Sequence, residues 1–288
     1  SWPGQDRDPC LHVEIAPSRT KKDHYSVSAR LTGPNLQVYP PQKKQFTRKA
    51  LRDVMPEIHE WVIEHCNTPR LLWVEFCLPR ALLDEAVDQW KLDPESDNIL
   101  VGNEYRVVVR SLKRAEQGST WTSALLKARW ELLQKPDSRC RFQAQDPSKD
   151  ESGLAVWVGE DDAGAVDLSQ RLTEAREVVC ALLRNPPRSS ATDSHPDILE
   201  TIFATGVPVV LWTRSSNRTK PDAHRDELRR LLEGGELLHL PDRVLDLRKK
   251  AQWKKNDPSH AGRHLTLLWD DPTTAYANTP LQSPQAPR

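Results

Sequence analysis

The sequence predicts an α/β fold: a mostly parallel sheet flanked by helices, with an antiparallel hairpin at its N-terminal end. Three observations carry this. Four short apolar runs each contain a tryptophan: Leu71 to Phe76, Ala155 to Val158, Val209 to Trp212 and Leu265 to Trp269. Continuous apolar runs of this length suit strands buried on both faces, as in a parallel sheet covered by helices. Between Leu11 and Leu31, in contrast, apolar and polar residues alternate, which is the period of strands with one wet face. From Trp157 onward, apolar runs and amphipathic stretches take turns, the rhythm of β–α units.

Taken in order, Leu11 to Pro17 and Tyr25 to Leu31 form the hairpin, joined by the charged link Arg19-Thr20-Lys21-Lys22-Asp23. Leu36 to Tyr39 adds a third strand, stopped by Pro40-Pro41. Thr47 is the expected N-cap of a helix with Leu51, Val54, Met55, Ile58, Val62 and His65 on one stripe and Trp61 at its border. After the Trp73 strand, Leu78-Pro79-Arg80 opens a short helix through Leu82-Leu83 toward Val87 and Trp90. Tyr105 to Arg110 is the next strand. A helix from about Thr120 to Leu133 is expected to bury Leu125, Leu126, Ala128 and Trp130.

Residues 135–152 contain no apolar run and read as a surface insertion. The Trp157 strand then leads through the acidic loop Glu160-Asp161-Asp162 into a helix bearing Leu172, Ala175, Val178, Val179, Leu182 and Leu183, ended by Pro186-Pro187. A helix from Pro196 to Ala204 stops at Gly206, a position suited to the left-handed cap, and Pro208 starts the Trp212 strand. Asp222 is placed to cap a helix carrying Leu228, Leu231 and Leu232, closed by Gly234-Gly235. Pro241 fits the first turn of another helix, through Val244, Leu245 and Leu247, before the Trp269 strand. The expected organisation is a hairpin region over 1–45 packed on or beside the main domain, an α/β domain over 46–272, and a disordered tail over 273–288.

Composition narrows the function classes. Lys plus Arg equals Asp plus Glu, 41 against 41, so no global field draws the chain to nucleic acid or to an acidic membrane. Local basic clusters occur at Lys43-Lys44 with Arg48-Lys49, and at Arg248-Lys249-Lys250 with Lys254-Lys255 around Trp253; solvated helix ends are the ordinary reading of both. The cysteines (Cys10, Cys66, Cys77, Cys140 and Cys180) are far apart, with no Cys-x-x-Cys pair or zinc-ligand spacing, so reduced thiols in a cytoplasmic protein are expected. The first residues have no apolar signal core and no stretch approaches membrane-spanning length. Because the chain begins at Ser1 rather than Met, a piece of a longer polypeptide is expected.

Charged residues follow the apolar runs, and in a parallel sheet they would share the edge where α/β proteins bind ligands. Glu75, Asp270 and Asp271, with Asp161 as a further carboxylate, form a possible acidic cluster able to hold Mg²⁺ if they converge. The competing reading is that Asp270 accepts hydrogen bonds from amides or an arginine and fixes the last strand and the turn at Pro272. Arg80, Arg110 and Arg214 form a second set: either an internal ion-pair network with Glu75, Asp88 and Asp270, or an anion or partner-peptide pocket. The strand tryptophans read as core, whereas Trp2 and Trp253 lie among polar residues and are better suited to a contact surface. A phosphate-binding loop of P-loop type is absent, as are Gly-x-Ser-x-Gly and His-Glu-x-x-His. A Cys–His hydrolase would need Cys77 to meet His224 or His264 in space. No catalytic residue, metal ligand or cofactor is therefore assigned.

Several blocks carry a resemblance. They are Trp73-Val74-Glu75-Phe76-Cys77-Leu78-Pro79-Arg80-Ala81-Leu82-Leu83 with Ala86-Val87-Asp88-Gln89-Trp90, the strand from Tyr105 to Leu112 with Arg114, Gly206-Val207-Pro208-Val209-Val210-Leu211-Trp212-Thr213-Arg214, and Leu265 to Pro272. In this order they resemble the C-terminal domain of vWA–MoxR-associated proteins, bacterial modules attached to effector or peptidase domains in NTP-dependent conflict systems. The resemblance spans about residues 11 to 272 and implies a regulatory or sensing module. Its implied partners are a MoxR-type AAA+ ATPase, a von Willebrand A-domain protein and an effector in the same polypeptide. It brings no catalytic mechanism. Two other classes stay open beside it: a metal-dependent enzyme on a phosphate-containing substrate, and a small-anion sensor.

Overall fold

The alternating N-terminal segment forms β1 (Cys10–Pro17) and β2 (His24–Thr32), paired antiparallel with Val13 opposite Ala29. Asp23 turns the chain with φ 55°, a left-handed conformation that Asp tolerates. The coordinates are a computed structural model describing residues 8–33, 35–41, 44–116, 121–136, 138–140, 153–159, 165–187, 197–214, 221–254 and 257–273. The acidic loop at 160–162, Trp2, the tail from 274 and most of the expected insertion lie outside the described residues.

Two short strands, β3 (Gln37–Val38) and β4 (Phe46–Thr47), both pair with β2. The tryptophan runs supply β5 (Trp73–Leu78), β7 (Ala155–Val158), β9 (Val209–Thr213) and β10 (Leu265–Trp269), and β6 (Arg106–Ser111) is the valine-rich run; from β5 onward all these strands are buried almost throughout. With β8 (Cys180–Leu183) they join one ten-stranded sheet in the order β3-β2-β1-β5-β6-β10-β9-β8-β7, with β4 on β2. β1 pairs in parallel with β5, Val13 opposite Phe76, so the hairpin continues directly into the tryptophan strands. The mostly parallel α/β sheet with an antiparallel N-terminal part is as the sequence predicts.

From β1 to β7 along the sheet, the strand direction changes once. β1, β5, β6 and β10 run one way, while β9 pairs antiparallel with β10, and β8 and β7 follow β9. Strand ends that would share an edge in a fully parallel sheet therefore fall on opposite edges.

Eight α-helices are found among the described residues, on both faces. One core layer joins Val74 and Phe76 to Ile58 of α1 (Met55–His65), Leu168 of α5 (Ala165–Glu174) and Ile202 of α6 (Ile198–Ala204). The other joins Trp73 and Trp269 to Trp130 of α4 (Trp121–Leu133), Leu228 of α7 (Pro221–Glu233) and Val244 of α8 (Leu240–Trp253). Trp130 and Trp269 meet edge to face with ring centroids 5.4 Å apart. The short α2 (Val101–Glu104) and α3 (Leu112–Glu116) flank β6.

Some elements differ from expectation. Thr47 ends β4 and makes no side-chain cap; a 3₁₀ segment over Arg48–Val54 precedes α1, which begins where Pro56 fits the first turn. The stripe is still buried at Leu51, Val54, Met55, Ile58 and Val62, but His65 is exposed. The run Leu172 to Leu183 is two elements: α5 stops at Glu174 and Cys180–Leu183 is a strand between β7 and β9. A short apolar run fits a buried strand or a buried helix equally, and pairing on both sides decides it. In α4, Ala128 is exposed and Leu125 half-buried, while Arg129 is buried and donates to the carbonyls of Leu172, Ala175, Val178 and Thr205. α6 ends as predicted, with Gly206 at φ 80°.

Candidate functional site: two buried ion-pair networks

Toward the C-terminal ends of β5, β6 and β10, the acidic and basic candidates converge on Arg110. Its Nη1 donates to Oε1 of Glu75 at 3.2 Å, its Nη2 to the carbonyl of Asp271 at 3.0 Å, and its Nε lies 3.7 Å from Oδ1 of Asp270. The same Glu75 oxygen is 3.0 Å from Nδ1 of His12, a β1 residue directly across the ladder. Arg114 completes the chain, donating to Asp270 at 2.7 Å and to the carbonyl of Val207 at 3.0 Å, with its guanidinium over the Phe203 ring. Asp271 accepts from the amide and the hydroxyl of Thr273 at 2.7 Å each, closing the turn at Pro272.

Burial sets the electrostatics. Desolvation would raise the Glu75 carboxyl, but Arg110 and His12 bring it down to about 2. Desolvation would lower the His12 imidazole, yet Cys10 and Glu75 bring it up to about 10. His12 is thus an imidazolium donating from both nitrogens, to Glu75 and, at 3.2 Å, to Thr32 Oγ1. Burial pushes the Arg114 guanidinium down, partly offset by Asp270.

Arg80 is on the same side of the sheet but has a different partner. Its Nε and Nη2 grip the two oxygens of Asp197 at 2.6 and 2.9 Å, and Asp197 also caps α6 through the amides of Leu199 and Glu200. Such a fork-on-fork pair uses the planar geometry specific to arginine.

Arg214 is not brought to Arg80 and Arg110. It follows β9, which runs against β10, and so reaches the opposite edge, where it meets Asp88 at 2.7 Å and donates to Thr266 Oγ1 at 2.8 Å. Arg248 of α8 lies 3.6 Å from the same carboxylate. Burial would raise Asp88, but Arg214 and Arg248 hold it below its ordinary value. Two guanidiniums therefore share one buried carboxylate.

The remaining candidates are quickly placed. His224 and His264 do approach, with ring centroids 6.4 Å apart, but each faces a backbone carbonyl, of Ser259 and Pro258, at the edge where β10 begins. Cys77 is buried near the far end of β5, and no disulfide joins any of the five cysteines. Trp73, Trp157, Trp212 and Trp269 are core, whereas Trp253 is 80% exposed at the end of α8. Among the described residues no group of three or more His, Cys, Asp or Glu side chains is placed to hold a metal ion, and no helix is long and apolar enough to cross a membrane.

Sequence reasoning missed His12, Arg114, Asp197 and Arg248. His12 alternates correctly for a wet face, but the face is covered and the residue is 6% exposed. An imidazole centred in an apolar strand, Leu11-His12-Val13, was the available signal. For Asp197, 117 residues from Arg80, the sequence offered none.

This arrangement joins the blocks that are most distinctive in the sequence: Glu75 and Arg80, Arg110 and Arg114, Val207 and Arg214, Asp270 and Asp271. The family described as the vWA-MoxR associated protein C-terminal domain matches residues 23–272. The chain belongs to this family. The match covers both ion-pair networks except His12, and nearly the whole sheet. No curated protein matches the chain.

Proposed function

We propose that this domain is a non-enzymatic regulatory and interaction module, the C-terminal part of a larger bacterial conflict-system protein. In this reading it couples a MoxR-type AAA+ ATPase and a vWA-domain partner to an effector in the same cytoplasmic polypeptide. The family match over residues 23–272 carries the reading, because the family's name implies association with vWA and MoxR proteins. The geometry adds support. The acids and arginines at the sheet edges are committed to one another, so they act as structural ties that hold strand ends and loops in one arrangement. Trp253 stands out at the end of α8 beside Lys249, Lys250 and Lys254, an amphipathic anchor of the kind that dominates docking surfaces. Docking there shifts the effector's conformational balance by the difference in partner affinity between its states.

The test is calorimetric titration of the folded chain with its genomically neighbouring MoxR-type ATPase and vWA protein, with and without ATP. Saturable binding to either is the expected result. No binding to both, by a chain shown to be folded, overturns the proposal.

A further inference from the structure

Next to the Asp88 network, α2, α8 and the turn before β10 enclose a cavity of about 220 Å³. Its polar lining includes Gln89, Asn98, Asn103, Arg248, Gln252 and Arg263. α2 comes this close because residue 102 is glycine: a Cβ there would stand 2.7 Å from Cβ of Asp88 and 3.1 Å from Cδ of Arg248. The next residue, Asn103, is thereby carried into the wall, 4% exposed. Its side-chain amide makes no hydrogen bond among the described residues.

The charge around the cavity is unbalanced. Arg214 and Arg248 share Asp88, and Arg248 spends Nη1 and Nη2 on the carbonyls of Val107 and Leu265 at 3.1 Å each while its Nε faces Asp88 at 3.6 Å. Arg263 adds a third, half-buried guanidinium. It donates through Nη2 to the carbonyl of Ala251 at 2.7 Å, its Nε has no hydrogen-bond partner, and no carboxylate pairs with it among the described residues. The carboxylate at the rim, Asp97, is taken by Lys91 at 2.6 Å. Gln89 and Gln252 spend their amide N–H groups on Asp88 and on the carbonyl of Asn98, which orients both side chains.

We propose that this cavity is a binding site for a small oxyanion, a carboxylate- or phosphate-bearing metabolite, whose charge is met by Arg263 and whose polar edge is read by Asn103. A cation is repelled by the guanidiniums of Arg263 and Arg248 in its lining. The volume is below the usual range of about 300–1,000 Å³ for drug-sized ligands, which favours a compact molecule over a nucleoside triphosphate. The site stands on its own geometry and does not require partner docking.

The experiment measures the melting temperature of the full chain against inorganic phosphate and, separately, glutamate, with chloride holding ionic strength constant. One of the two probes is expected to raise it saturably, on the order of 5 °C at a hundredfold excess over Kd. Response to phosphate alone assigns a tetrahedral oxyanion, and response to glutamate alone a carboxylate. Arg263→Gln and Asn103→Ser are each expected to weaken the apparent affinity at least about tenfold. Should the buried Asn103 variant fail to fold, the half-buried Arg263 variant still decides. No saturable rise with either probe overturns the proposal, as does a rise that Arg263→Gln leaves unchanged.

Discussion

His12 donates its Nδ1 hydrogen to Oε1 of Glu75 across 3.0 Å, joining two adjacent strands that lie 63 residues apart in the chain. The pair sits under cover near the middle of the sheet, with Arg110 on the same oxygen. A charged row within an otherwise apolar layer needs every member, since removing one leaves another buried and unpaired.

This row predicts a stability plateau in pH. The raised His12 pKa contributes stability that is complete below 6.5 and is lost as pH climbs toward about 10. The depressed Glu75 pKa contributes stability that is complete above 4.5 and is lost as pH falls toward about 2. Melting temperature should therefore be highest between about pH 4.5 and 6.5 and decline on both sides. His12→Gln should remove the alkaline decline; the same slope in wild type and variant would rule the assignment out.

Asp88→Asn is expected to be the costliest single change. It leaves Arg214 and Arg248 buried with no carboxylate between them, a loss of about 3–5 kcal/mol. Urea unfolding monitored by tryptophan fluorescence measures it. A loss under about 1 kcal/mol, the scale of an exposed pair, would show that the pair is not the buried tie described.

Arg80→Lys keeps the charge but not the two parallel bonds to Asp197. Destabilisation of about 1–3 kcal/mol is expected, because Asp197 must then anchor the start of α6 with one long contact fewer. Equal stability of the two proteins in denaturant would count against the fork.

Gly206→Ala places a methyl group 2.6 Å from Cβ of Leu125 and 2.7 Å from its backbone carbon, at a residue with φ +80°. Strain and collision together should cost about 1–3 kcal/mol or more, read as a lower urea midpoint with an unchanged slope.

Trp253→Ala separates docking from folding. An 80% exposed side chain away from any core contact should change stability by no more than about 0.5 kcal/mol. Under the proposed function the same change should weaken binding to the ATPase or vWA partner at least about tenfold. Unaltered affinity would move the contact surface elsewhere on the domain.

The α/β class, the hairpin, the tryptophan strands and the α6 stop at Gly206 were legible in the sequence, because periodicity of two, short apolar runs and a left-handed glycine are local features. The boundary between α5 and β8 was not: Val178 to Leu183 is apolar on every side, and only pairing with β7 and β9 makes it a strand. The same limit governed the site. The residue types were visible at Glu75, Arg80, Arg110, Arg214 and Asp270. Their grouping was not, because the antiparallel join of β9 to β10 sends Arg214 to Asp88 at one edge and leaves Arg110 with Glu75 and Asp270 at the other. Local chemistry chose the elements; strand direction, which no local stretch encodes, chose which charges meet.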